Sequence, residues 1–300
     1  VINDDALLEY FYRGLIPGPE ESEEAFLSRV QLAKPLAHPE WDDIALPFKI
    51  DWVPITYSNH KIAWWEGAAT WISQTELPVY TNNLKNREFD KKGPQNFCSE
   101  RATIAERQGA SENNNSEVNP TQSKPDSSSC LCIIQLRKNF EKGSFLGYKR
   151  SEVLSHEAIH AARMRFEEPL FEEVLAYSTA PQAWKRFLGP LFSRTWEPLV
   201  LMVGVALGIF WPLVPVLMVG LSLGRLGYRQ WIFKKCCRKL SFPVVLTLTD
   251  REMKQFASMT EEEIQAYLEK DSTLLFRVRK ICQNNPKNRS EPFTGIGSGL

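Results

Sequence analysis

His156 and His160 stand four residues apart, with Glu157 directly after the first. The stretch around them reads as a helix from about Glu152 to Phe166. Ser151 is its expected N-cap, and Val153, Leu154, Ala158, Ile159, Ala161, Ala162 and Met164 are its packing residues. Four residues turn a helix by about 400°, so the two imidazoles project from nearly the same face, one turn apart. Two ring nitrogens so placed can reach one zinc ion at about 2.0–2.1 Å. Glu157 lies about 100° round the helix from His156, where a carboxylate can meet a zinc-bound water without ligating the metal. Zinc lowers the pKa of that water, and the glutamate takes its proton. A catalytic zinc also needs a third protein ligand and an open position. Glu167-Glu168-Pro169 should break the helix, and a second one starting near Leu170 carries two carboxylates, Glu172 and Glu173.

The pattern His156-Glu157-Ala158-Ile159-His160 is the HExxH motif, and here the chain resembles the zincin metallopeptidases. Chance gives this pattern on the order of one time in a hundred in a chain this long. The longer metzincin pattern is absent, because Arg163 stands at its glycine position and Phe166 at its third histidine position. Glu172-Glu173-Val174-Leu175-Ala176-Tyr177 instead resembles the glutamate helix of the gluzincins. That likeness implies Glu173 as third ligand, Ala176 as the small residue that lets the helices approach, and Glu172 as the runner-up. A helix that returns past the Glu-Glu-Pro break brings Glu173 back close to the level of His160, and helix axes about 8–10 Å apart permit the reach. The loop between the helices is shorter than in thermolysin-like enzymes. In zincins an edge strand before the active helix pairs with extended substrate, and Leu131 to Leu136 is similar to that strand. The resemblance covers roughly Leu131 to Tyr177. It implies a Zn2+ cofactor, a peptide or protein substrate, and peptide-bond hydrolysis with Glu157 as general base. Tyr148, Tyr177 and Arg163 are the nearest donors for an oxyanion, without a ranking among them.

The elements that must hold this constellation follow from patterning. Glu23 to Lys34 reads as a short amphipathic helix ended by Pro35 and Pro39. Lys49 to Tyr57 reads as a strand with Pro54 at an edge or bulge. His60 to Thr75 reads as a strand or strand pair, with Trp64, Trp65 and Trp71 in the core; His38 and His60 read as structural. Gln108 to Ser129, rich in Asn, Ser, Gln and Pro, is expected to be a disordered insertion, because it cannot bury enough surface to offset its ordering entropy. Leu131 to Leu136 reads as a strand and Phe140 to Tyr148 as a loop around Gly143 and Gly147.

Pro198 to Gly224 carries no charge. As one helix it is long enough for a hydrocarbon core about 30 Å thick, so it reads as a membrane segment, tilted or kinked at Pro212 and Pro215. The alternatives are a shallow helical hairpin turning at Trp211-Pro212, with each half too short to cross, and a buried helix pair. Arg225, Arg229, Lys234, Lys235, Arg238 and Lys239 follow it, against Lys185, Arg186 and Arg194 before it, so a single span implies a cytoplasmic C-terminal flank. That basic flank also suits anionic lipid headgroups. Thr249-Asp250-Arg251-Glu252 and Thr260-Glu261-Glu262-Glu263 look like capping boxes of a helical tail, and Leu274 to Cys282 adds a further helix. The tail shows no chemistry and reads as an accessory region.

With 36 Lys+Arg against 36 Asp+Glu, the chain gives no reason to expect nucleic-acid binding. Its six cysteines are too few for a disulfide scaffold and lack zinc-ribbon spacing. Cys130 and Cys132 would share one face of a strand, and Cys236 and Cys237 are either acylation sites or plain thiols. Val1 to Leu8 shows no secretory signal.

The expected fold class is therefore α+β: a small zincin-like domain with a mixed sheet, its HExxH helix packed on a Glu helix, then an apolar membrane segment and a helical tail. Residues 1–107 would form the N-terminal α/β part, 108–129 the insertion, 130–197 the active-site region, 198–224 the membrane segment, and 225–300 the basic stretch and tail. The expected function is a membrane-anchored zinc metallopeptidase. The competing expectation is a non-enzymatic membrane protein that organises partners and keeps a relic HExxH helix.

Overall fold

The computed structural model describes residues 2–36, 39–41, 44, 46–58, 67–73, 130–192, 197–208, 210–211, 213–270 and 273–285. The expected insertion at 108–129, and His38, His60, Trp64, Trp65, Cys98 and Arg194, lie outside them.

Helices α1 (Asp4–Tyr12) and α2 (Glu23–Leu32) open the chain, each capped by a side chain, Asn3 and Ser22. Strands β1 (Ile55–Ser58), β2 (Gly67–Ser73) and β3 (Cys130–Arg137) form one sheet in the order β1-β3-β2. β1 runs parallel to β3 and β2 antiparallel to it. The strand expected from Lys49 is confined to Ile55–Ser58. The expected loop after Phe140 contains a tiny hairpin, β4 (Ser144–Phe145) and β5 (Tyr148–Lys149), turned through Leu146 and Gly147, both at positive φ.

Leu131–Leu136 is not an edge strand: β3 lies in the centre of the sheet, with β1 on one side and β2 on the other. Its run of buried Cys132, Ile133, Ile134 and Leu136 explains why. A strand apolar on both faces needs cover on both faces, which a central position supplies. Among the described residues β2 pairs on one side only, and it packs against the helix that follows β5.

That helix, α3 (Arg150–Arg163), carries the HExxH residues. It starts earlier than Ser151 because the chain leaves β5 straight into it, with the Arg150 N–H donating to the Gly143 carbonyl at 2.8 Å. It ends before Phe166. Glu167 takes a positive φ of 53°, and Pro169 occupies the first turn of α4 (Pro169–Tyr177), where its missing N–H costs nothing. Helix α5 (Ala183–Leu188) and a 3-10 turn at Gly189–Leu191 follow.

Among the described residues the fold is mostly helical, with a small mixed sheet beside the β4–β5 hairpin, and this corrects the α+β expectation. The excess helix comes from the C-terminal half: α6 (Glu197–Leu207), α7 (Leu213–Lys239), α8 (Phe242–Val245), α9 (Asp250–Ser258), α10 (Glu261–Lys270) and α11 (Leu274–Asn284).

The expected membrane segment is also corrected: among the described residues no helix is long and apolar enough to cross a membrane. The uncharged stretch is divided between α6 and the first part of α7, which fold back on each other as a hairpin. A Cβ on Gly208 would lie 2.7 Å from Pro215 Cγ, and one on Gly204 would lie 3.1 Å from Met218 Cγ, so the two glycines set the close approach. The 11 residues of α6 span about 16 Å, half of a hydrocarbon core about 30 Å thick. The basic flank is not simply a free charged surface either. Arg229 is buried and donates to the Pro190 carbonyl at 2.7 Å, and Lys239 Nζ donates to the carbonyls of Phe256 and Ala257. Cys236 is buried against the Met253 carbonyl, and burial pushes its thiol up to about 11.

Thr249–Glu252 and Thr260–Glu263 form reciprocal capping boxes. The tail is no accessory: one apolar core runs from Ile2 through the sheet and α3 to Cys282. Arg277 on α11 binds Asp4 at the start of α1 at 2.9 Å, and Asn285 donates to the Tyr12 hydroxyl at 2.8 Å.

Candidate metal centre

Helices α3 and α4 meet as an antiparallel pair across the Glu167–Pro169 turn. Val153, Leu154, Ala158, Ile159 and Ala162 of α3, and Phe171, Val174 and Leu175 of α4, are buried in the core. That burial fixes the roll of each helix, and so the direction of its polar residues. His156 and His160 face α4 with Nε2 atoms 3.1 Å apart. Glu173 Oε2 lies 3.6 Å from His156 Nε2, and Glu173 Oε1 lies 3.6 Å from His160 Nε2. The three side chains offer ligand atoms within 4.8 Å of one another and could hold a metal ion.

Glu172 does something different from its neighbour. Its Oε1 lies 3.2 Å from the other nitrogen of His160, Nδ1, and its Oε2 accepts from Arg163 Nε at 2.8 Å. A carboxylate only accepts, so Nδ1 carries the hydrogen and Nε2 is the nitrogen turned toward Glu173. Arg163 is fully buried and is pinned in turn by the carbonyls of Leu246 and Leu248, at the end of α8 and just beyond it. From the opposite side, Asp250 at the start of α9 accepts from the N–H groups of Leu170 and Phe171, at 2.9 and 3.2 Å. Glu168 accepts from the Asp250 N–H at 2.6 Å, closing the link. The tail thereby holds both helices of the site.

The electrostatics follow this geometry. Burial, aided by the charge of His160, drives the pKa of His156 well below its ordinary value. Burial alone would lower His160 too. The Glu172 hydrogen bond and the charges of Glu173, Glu172 and Glu157 outweigh it and raise His160 to about 10. Burial would raise Glu172, but Arg163 and His160 hold it below the usual carboxylate value. Glu173 is lifted, by burial first and by the charge of Glu172, against the pull of His160 and Arg229. Glu157 is buried and close enough for its charge to act on His160.

Of the three oxyanion candidates, Arg163 is committed to Glu172 and the carbonyls of Leu246 and Leu248. Tyr148 lies under Lys185, whose Nζ is 3.8 Å from the ring centroid and 2.8 Å from Glu152. Tyr177 stands edge-on to His156 with ring centroids 4.5 Å apart. Its seat depends on Gly189, where a Cβ would lie 2.2 Å from Tyr177 Cδ1. Gly189, and the use of Glu172 and Arg163 as a brace, escape sequence reasoning. Their only local signal is a Gly-Pro turn and two charged residues at helix positions that are usually solvated.

Comparison with family models, with curated proteins and with solved structures finds no match to this chain.

Proposed function

We propose that this protein is a zinc-dependent metallopeptidase, with His156, His160 and Glu173 as zinc ligands and Glu157 as general base. The observation that carries the reading is the convergence of two imidazole nitrogens and one carboxylate. Four-coordinate zinc with bonds of about 2.0–2.1 Å has tetrahedral edges of about 3.4 Å. The separations of 3.1, 3.6 and 3.6 Å match those edges, and a His2Glu donor set suits zinc. Three protein ligands leave a fourth position for water or substrate.

Bound there, zinc supplies a Lewis acid that lowers the pKa of a water to about 7. The residues do the rest. Glu157 sits one position on from His156, at the side of the ligand face, and receives the proton of the attacking water. Glu172 holds the His160 ring in the tautomer and orientation that ligation needs. Arg163 holds Glu172, so the brace stays charged inside the core. The side of β2 that pairs with no strand among the described residues, beside α3, is where an extended peptide could add as a further strand.

The test has two parts. Elemental analysis of the purified protein should give about one zinc per chain, lost in His156→Ala/His160→Ala. Peptide hydrolysis should be lost in Glu157→Gln while zinc is kept. A chain that takes up no zinc on reconstitution sinks the reading. So does a Glu157→Gln variant that remains fully active.

A further inference from the structure

The hairpin of α6 and the first part of α7 is a feature that the metal centre does not use. Pro198 to Gly224 holds no charge, yet Met202, Phe210, Trp211, Leu213, Val216 and Leu221 are each at least 64% exposed. Charge returns abruptly at the base, where Arg225 Nη1 bonds Glu197 Oε1 at 2.9 Å. Just below, Leu226, Ile232 and Phe233 of the same helix are buried in the core. The apolar surface is thus a projecting arm with a defined boundary.

A large aromatic side chain presents about 150–250 Å2, so side chains exposed to this degree together leave on the order of 1,000 Å2 of apolar surface. The largest patch on an ordinary monomer is about 300–600 Å2. A standard interface takes about 800 Å2 from each partner. The arm therefore exceeds the first figure and meets the second. We propose that it is a self-association surface, on which two copies of this chain pair hairpin against hairpin.

The chemistry of the surface favours a second copy. Ser222 Oγ is spent on the Met218 carbonyl of its own helix. That leaves almost no polar group to complement a polar or charged partner, whereas another hairpin matches it in composition and length. A two-fold contact lets the same patch serve both subunits. The arm also has room for a helix. Gly220 and Gly224 lie one turn apart on α7, and a Cβ at either would meet nothing within 4 Å. The pairing does not depend on the zinc reading, since no ligand lies on the arm.

The test is sedimentation equilibrium of the full chain over a wide concentration range, beside Leu217→Asp/Leu221→Asp. Both positions are exposed, and circular dichroism checks that the variant folds. The expected result is a concentration-dependent dimer for the native chain and a monomer for the folded variant. A Leu221→Cys variant, oxidised at dilute concentration, should form an intermolecular disulfide. A native chain that stays monomeric overturns the proposal, as does a dimer unaffected by the two aspartates. So does a native monomer that floats with phosphatidylcholine–phosphatidylglycerol vesicles, which would give the arm to lipid.

Discussion

Glu172 Oε1 lies 3.2 Å from His160 Nδ1, while the neighbouring Glu173 faces Nε2 of the same ring. Two adjacent glutamates therefore address the two nitrogens of one imidazole, Glu172 the Nδ1 and Glu173 the Nε2 that also faces His156. Loss of a partner hydrogen-bonded to a ligating histidine typically costs about 10–100-fold in metal affinity. Glu172→Gln is expected to fall in that range, and Glu173→Ala to lose more, because on the proposed reading it removes a ligand. Competition against a chelator, read as zinc affinity, separates the two. Equal losses would put both carboxylates in one role.

Glu157→Gln keeps the size of the side chain and removes its basicity. General-base assistance is worth about 10²–10⁴-fold in rate. Peptide hydrolysis should drop by at least that factor with zinc stoichiometry unchanged, and steady-state kinetics beside metal analysis reads both.

Arg163→Met removes the cation that neutralises Glu172 and leaves the Leu246 and Leu248 carbonyls without their donor. Breaking one side of a buried pair costs about 3–5 kcal/mol. Urea denaturation should show that loss, and zinc affinity should fall with it, since the brace on His160 goes too. Stability lost at native zinc affinity would mean that Arg163 serves the core alone.

Gly189→Val puts side-chain atoms where the Tyr177 ring now sits, 2.2 Å from the first added carbon. The ring must swing away from His156. The hydrolysis rate should change. An unaltered rate would remove Tyr177 from the site.

In the tail, Arg279 Nη1 and Nη2 grip the two oxygens of Glu252, each at 2.6 Å. Burial would raise the pKa of Glu252, but Arg279 and the Thr249 N–H outweigh it and hold it below its ordinary 4.5. A carboxyl with a lowered folded pKa contributes stability that is complete above the unfolded value and lost as pH falls through the folded one. The urea midpoint should therefore fall on the acid side of 4.5. Arg279→Met should flatten that acid limb and lower stability at neutral pH. An identical acid limb in the variant would assign the pH dependence to other carboxylates.

The sequence alone determined the parts of this molecule that depend on near neighbours. Histidines at i and i+4 share a helix face wherever the helix packs, so the His156–His160 pair was legible. The break at Glu167–Pro169, the α4 helix after it and both capping boxes in the tail were legible for the same reason, because proline geometry and capping act within four residues. What needed the tertiary structure were choices between local equivalents. Glu172 and Glu173 are adjacent and chemically identical, and only the burial of Phe171, Val174 and Leu175 sets the roll that points each to its nitrogen. The uncharged stretch from Pro198 read first as one membrane span, with a hairpin as the alternative, and among the described residues no helix is long and apolar enough to cross a membrane. Contacts of Gly204 with Met218 and of Gly208 with Pro215, across the turn, accompany the hairpin. The apolar run of β3 marked a strand but not its place in the sheet, which depends on β1 and β2 from far upstream. The tail carried no chemical motif, yet it supplies the Leu246 and Leu248 carbonyls that hold Arg163, and through it Glu172 and His160. Residues 83 and 85 positions apart meet only when the core closes, and no local pattern encodes that closure.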